Sequence, residues 1–138
     1  MSELMNQQAN ILIISPDVKL SKEIGKALSH VSQQMMAVPA SRDALKKVRD
    51  GRFDLVITDS RLTDLSCPVL IRRIMARDPR PDILVGLPIE SWHRQQELLD
   101  CGADDVFEIP LKAKEFHLKV KKVLKEKSFL ESCGLVGK

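Results

Sequence analysis

The chain has 138 residues, of which 43% are hydrophobic, and a formal net charge of +3. That length suits one domain around one core, and the apolar share excludes wholesale disorder. The charge is too mild to argue for nucleic acid by itself, and the apolar runs are too short to span a membrane. The opening "MSELMNQQAN" is polar, without a basic stretch leading into an apolar one, so it does not read as a signal peptide. Residues 1–9 are expected to be a tail.

"ILII" at 11–14 is the first strand candidate. From Asp17 to about Val31, Leu20, Ile24, Ala27, Leu28 and Val31 share one helical face, with Asp17 as N-cap. "MMAV" at 35–38 predicts a second strand, and Ser41 caps a helix burying Ala44, Leu45 and Val48, closed by Gly51. "LVIT" at 55–58 predicts the third strand and runs straight into Asp59. A helix over 68–77 buries Leu70, Ile71, Ile74 and Met75, with Pro68 tolerated in its first turn. "ILVGL" at 83–87 predicts a fourth strand, and Ser91 caps a helix ending at Cys101 before Gly102. "VFEI" at 106–109 predicts the fifth strand, and a last helix from Ala113 buries Phe116, Val120, Val123 and Leu124.

Five β–α units with continuous apolar strands predict a parallel sheet covered by helices on both faces. The expectation is a flavodoxin-like, doubly wound (βα)5 α/β fold with strand order 2-1-3-4-5. In such sheets ligands gather beyond the carboxyl ends of the strands, at the switch point between strands 1 and 3. Asp59 and the segment Ser15-Pro16-Asp17 both fall there, so Asp59 is expected at an open rim rather than buried in the sheet.

Cys67, Cys101 and Cys133 are odd in number and show no CxxC spacing, which fits reduced thiols in the cytoplasm. His30, His93 and His117 lie on separate predicted helices, so a zinc site is not expected. The last helix carries Lys112, Lys114, Lys119, Lys121, Lys122, Lys125 and Lys127. A nucleic-acid-binding face is one reading of it, and a solvated face or one meeting an acidic partner is another. Small-enzyme chemistry is not expected, because "SPDVKL" has Pro where a phosphate loop needs Gly and no nucleophile–base pair is visible.

"FDLVITDSRLTDLS" resembles the phosphoacceptor segment of response-regulator receiver domains, and "CGADDVFEIPLKAKEF" resembles their Gly-Ala-Asp-Asp segment leading to Lys-Pro and helix 5. "ILIISPDVKL" stands where the family has its first strand and acidic cluster. The likeness covers residues 10–127 as a receiver-like domain, leaving 128–138 as linker or tail. It implies that an Asp accepts a phosphoryl group, that two acids after strand 1 help hold Mg²⁺, and that a Ser or Thr and a Lys bond the phosphoryl. Asp59 matches the phosphoacceptor. The acidic pair falls on Ser15 and Pro16, leaving Asp17 and Asp59 as a weak Mg²⁺ site at best. The Ser/Thr position is Leu87, the Lys position is Ile109, the switch aromatic is Val106, and Thr63 stands where the family has Pro. Lys112, three residues past Ile109, is not expected to replace the lost Lys. Ile109–Pro110 is expected as a turn, for which the likeness implies a cis peptide.

The resemblance therefore implies an atypical receiver, weakly phosphorylated or not at all, in two-component signalling. Its partners would be a sensor kinase or phosphodonor and an output domain or protein. They would meet it through helix 4, strand 5 and helix 5, a surface carrying Trp92, Val106 and Lys112 and open to homodimerisation. A conventional phosphorylatable receiver is the alternative. The terminal "GLVGK" resembles the first residues of the ATPase domain in sigma-54-dependent transcription activators, which would make the chain the receiver of a longer regulator.

Overall fold

A computed structural model of the chain describes residues 9–32 and 34–132. Among them the strands are β1 (Asn10–Ile14), β2 (Gln34–Val38), β3 (Leu55–Asp59), β4 (Asp82–Pro88) and β5 (Asp105–Ile109). The helices are α1 (Val18–Ala27), α2 (Ser41–Asp50), α3 (Cys67–Met75), α4 (Gln95–Cys101) and α5 (Ala113–Ser132), with a 3-10 segment at Ile89–Arg94. The strands form one five-stranded sheet in the order β2-β1-β3-β4-β5, every pair parallel. The architecture expected from the apolar runs is the one observed.

Alternate residues along the central strands feed two apolar layers. On one face Ile11, Ile13, Leu55 and Ile57 pack with Leu20 and Ile24 of α1 and Phe116 and Val120 of α5. On the other, Leu12, Val56 and Val85 pack with Ala44 and Val48 of α2, Leu70 and Ile74 of α3 and Leu98 of α4. All five residues of β3 are buried, as a strand covered on both faces requires. β2 departs from that pattern because it is an edge strand, and Met36 stays 42% exposed. Each large side chain fully withdrawn from water contributes about 1.5–3 kcal/mol.

Helix ends show where local reading meets tertiary structure. Asp17 caps α1 as expected, its Oδ1 accepting from the N–H groups of Lys19 at 3.0 Å and Leu20 at 3.2 Å. Ser41 does not cap α2. It is the helix's first residue, its hydroxyl donates to the carbonyl of Leu65, and the capping carboxylate comes from Asp64 in the loop between β3 and α3. Ser91 likewise caps nothing, because the chain after Pro88 enters the 3-10 segment first and α4 begins only at Gln95. Gly102 closes α4 at φ +123°, the conformation for which glycine was expected. Gly51 closes α2 in extended backbone.

The boundary expected at residue 127 falls inside α5, which runs to Ser132 because "KEKSFLES" contains neither Gly nor Pro. Cys133 and "GLVGK" lie outside the described residues, as do residues 1–8. Among the described residues no helix is long and apolar enough to cross a membrane.

Candidate functional site

β1 and β3 are neighbours from which the chain leaves in opposite directions, so their carboxyl ends open the crevice that the topology predicts. Asp59 is the last residue of β3, in register with Gly86 of β4, and Gly86 is in register with Phe107 of β5. Ser15 follows β1 alongside it, one step past the pair Ile14–Thr58. Asp59 thus stands at the expected end of the sheet but not at an open rim. It is 1% exposed, because its neighbours fold over it.

Both carboxylate oxygens of Asp59 are engaged. Oδ1 accepts from the backbone N–H of Arg61 at 2.9 Å and from Arg61 Nε at 2.9 Å. Oδ2 accepts from Arg61 Nη2 at 3.0 Å and from the Ser15 hydroxyl at 2.8 Å. The Arg61 side chain doubles back over the preceding strand end and grips the carboxylate with two parallel N–H bonds, the strongest of the common charge-assisted geometries. Ser15 Oγ in turn accepts from the Asp17 N–H at 3.0 Å, which ties the start of α1 to the same cluster. Asp17 Oδ2 lies 3.8 Å from Arg61 Nη2. The guanidinium is held above its ordinary pKa, first by the hydrogen bond to Asp59, with Asp17 and Glu90 adding attraction against the cost of partial burial.

The residues present do not fit the family's Mg²⁺. That ion demands near-octahedral oxygen ligands and sheds water reluctantly. Here the Asp59 oxygens are committed to hydrogen-bond donors, Pro16 offers no side-chain oxygen, and Asp17 Oδ1 is spent on the α1 cap. Among the described residues no group of three His, Cys, Asp or Glu could hold a metal ion.

The other matched positions are apolar and packed. Leu87 is buried in the layer beneath α3 and α4, and Ile109 is buried in the layer beneath α1 and α5. Ile109 Cδ1 and the Phe107 ring cover Gly86, the neighbour of Asp59, so an apolar wall closes this flank. The Phe107 ring also packs on Phe116 at 4.7 Å between centroids. The Ile109–Pro110 peptide is cis.

At the surface expected from the sequence to meet partners, Trp92 is half-buried and lines a groove with Glu108, Lys112 and Lys119. Val106 is fully buried and presents no side chain there, because its position on β5 faces the layer beneath α3 and α4. Lys112 stays away from Asp59, its Nζ 3.5 Å from Glu108 and 3.9 Å from Glu115. Lys119 donates to the carbonyl of Val106 at 2.7 Å and lies 3.6 Å from Asp105. Lys119 of the basic helix and Lys112 just before it thus bond within the domain, which weakens the nucleic-acid reading. Arg61 and Phe107 escaped the sequence reading. An arginine two residues after a strand-terminal aspartate was the available clue to the first.

The family described as response regulator receiver domain matches residues 11–121. The aerobic respiration control sensor protein ArcB of Escherichia coli is 28% identical over 116 residues, a stretch covering 82% of this chain and 15% of that protein. The response regulator ArlR of Staphylococcus haemolyticus is 24% identical over 129 residues, 91% of this chain and 58% of that one. This chain therefore spans less than two thirds of either relative. A response regulator receiver domain from Clostridium thermocellum superposes with a TM-score of 0.79 at 19% identity, over 88% of this chain and 98% of that one. With the order β2-β1-β3-β4-β5 and Asp59 at the end of β3, the match over residues 11–121 leaves one conclusion: the chain belongs to the response regulator receiver domain family.

Proposed function

We propose that this receiver domain regulates an output domain or partner protein by contact, with Asp59 phosphorylated weakly or not at all. The observation that carries this reading is the closure of the site: all four hydrogen bonds to the Asp59 carboxylate come from Ser15 and Arg61 of the same chain. A phosphodonor approaching either oxygen has to displace one of them.

Magnitudes support the same reading. A hydrogen bond to a charged group is worth ~1.5–3 kcal/mol, so Leu87 and Ile109 in place of a hydroxyl and an ammonium remove roughly 3–6 kcal/mol of coupling. Driving a two-state element from about 1:99 to 99:1 takes about 5.5 kcal/mol. The deficit is the size of the switch itself.

The surface left for regulation is that of α4, β5 and α5, where Trp92 and Lys112 flank a groove of about 240 Å³. We place the domain in the cytoplasm within two-component signalling, joined to or recruited by its output, with self-association through the same face as a further mode. A sensor kinase would then act as a binding partner more than as a phosphodonor.

The deciding experiment is incubation with acetyl phosphate and Mg²⁺ followed by intact-mass measurement. Little or no phosphate-sized gain on a folded chain is expected. A stoichiometric gain that vanishes in Asp59→Ala would establish a conventional phosphorylatable receiver instead.

A further inference from the structure

The disagreement between the site and the family's Mg²⁺ has a constructive side. Asp59 is a fully withdrawn carboxylate, and a buried charge persists only if it is paired and hydrogen-bonded. In this chain the pairing comes from a side chain two residues away. Arg61 supplies one backbone and two guanidinium N–H bonds to Asp59 and faces Asp17 and Glu90 as well. Its side chain remains 46% exposed, so the guanidinium lies between the buried carboxylate and water. An exchangeable ion would have to pass the same mouth.

We infer that Arg61 is the resident cation of this domain: its guanidinium neutralises Asp59 in place of a divalent ion, so the fold and the site are independent of metal. The inference rests on the reading of a phosphate-independent receiver but concerns the cation rather than the phosphoryl group. Three features of the site agree with it. The fork engages both oxygens of Asp59, the atoms that a metal would need. Ser15, where the family has an acid, donates a hydrogen bond to Asp59 and does not repel it as a second carboxylate would. Pro16 takes away the other acid, so the cluster holds fewer negative charges for a cation to balance. Arginine rather than lysine suits the position, because its planar fork meets both oxygens at once.

The test is thermal unfolding of the full chain at fixed ionic strength in NaCl, MgCl2 or MnCl2. The wild-type chain is expected to give one Tm in all three salts. Arg61→Gln is expected to lose several degrees in NaCl and to regain part of the loss in MgCl2 or MnCl2, since an ion that binds only the folded state raises its stability. Adding Asp59→Asn to Arg61→Gln should shrink the loss and abolish the metal response, because the stranded charge is gone. A wild-type Tm that rises with Mg²⁺, with the rise absent from Asp59→Asn, would overturn the inference. So would an Arg61→Gln chain that melts like wild type and ignores metal. Should Arg61→Gln fail to fold, Arg61→Lys carries the comparison: a smaller loss in NaCl is expected, and a Tm equal to wild type would count against the fork. The two readings fail separately. Phosphate uptake with no metal effect on Tm would sink the proposed function and leave Arg61 in its role, whereas a metal-stabilised chain that takes up no phosphate would do the reverse.

Discussion

At Gly86 a methyl group would stand 2.8 Å from Phe107 Cζ and 3.0 Å from Ile109 Cδ1. Both neighbours are themselves buried, and Phe107 is held from behind by Phe116. They have little room to retreat in a close-packed layer. Gly86→Ala is therefore expected to cost about 1–3 kcal/mol through overpacking. The check is the midpoint of urea unfolding, which should fall at unchanged slope. Gly25, inside α1, is the control: nothing lies within 4 Å of its missing Cβ. Gly25→Ala should stabilise the chain by about 0.5–1 kcal/mol, the ordinary helix penalty of glycine. Equal effects at the two glycines would mean that Phe107 does not press on β4 beside Asp59.

Asp64 joins two elements through one carboxylate, and its loss would be felt at the helix that it caps. Its oxygens accept from the N–H groups of Ser41 and Arg42, the open end of α2, 23 and 22 residues back in sequence. The bond from Arg42 first, then one from the Leu65 backbone and that from Ser41, hold the carboxyl well below its ordinary value of 3.8. A carboxyl with a lowered folded pKa adds stability that is fully present above the unfolded value. That stability is lost as pH falls from about 3.8 toward the folded value. Asp64→Ala should therefore cost about 1 kcal/mol at pH 7, at the modest end because the group is solvent-screened. It should also flatten the acid limb of the stability curve below about pH 4. Unfolding midpoints across pH 2–7, as an order-of-magnitude window, would show it; parallel curves for the two chains would refute the cap. The same contact marks a limit of local reading. The strands and their order were legible because continuous apolar runs leave few alternatives. Ser41 looked like a cap by type and position, yet the cap is supplied by a residue that only the folded sheet brings near. Ser91 misled for a different reason, since Pro88 at the end of β4 leads into a 3-10 turn before α4 can start. At the site, the position of Asp59 was legible from the strand that it ends. Its burial was not, because that depends on which way a flexible Arg61 side chain turns.

Across the whole molecule, a phosphate-driven switch of the proposed surface would have to link the carboxyl end of β3 to α4, β5 and α5. A ligand can shift such an equilibrium only by the difference in its affinity for the two states. The side chains facing Asp59 from β4 and β5 are Gly86, which has none, and Phe107, which is apolar and locked against Phe116. Leu87 and Ile109 are buried in opposite layers, and neither offers a donor for a phosphoryl oxygen to pull. Lys119, the cation nearest β5, is bonded to the carbonyl of Val106 and paired with Asp105. No polar arm therefore runs from Asp59 to Trp92 or Lys112 through these residues. Beryllofluoride with Mg²⁺, which mimics a phosphoryl group on aspartate, should leave amide exchange over residues 89–119 unchanged within about twofold, under 0.5 kcal/mol of coupling. Slowed exchange confined to β5 and α4 would reveal a route through the apolar wall of Phe107 and Ile109. In that case Gly86→Ala, which presses on the same wall, should alter the exchange of the same amides without any ligand.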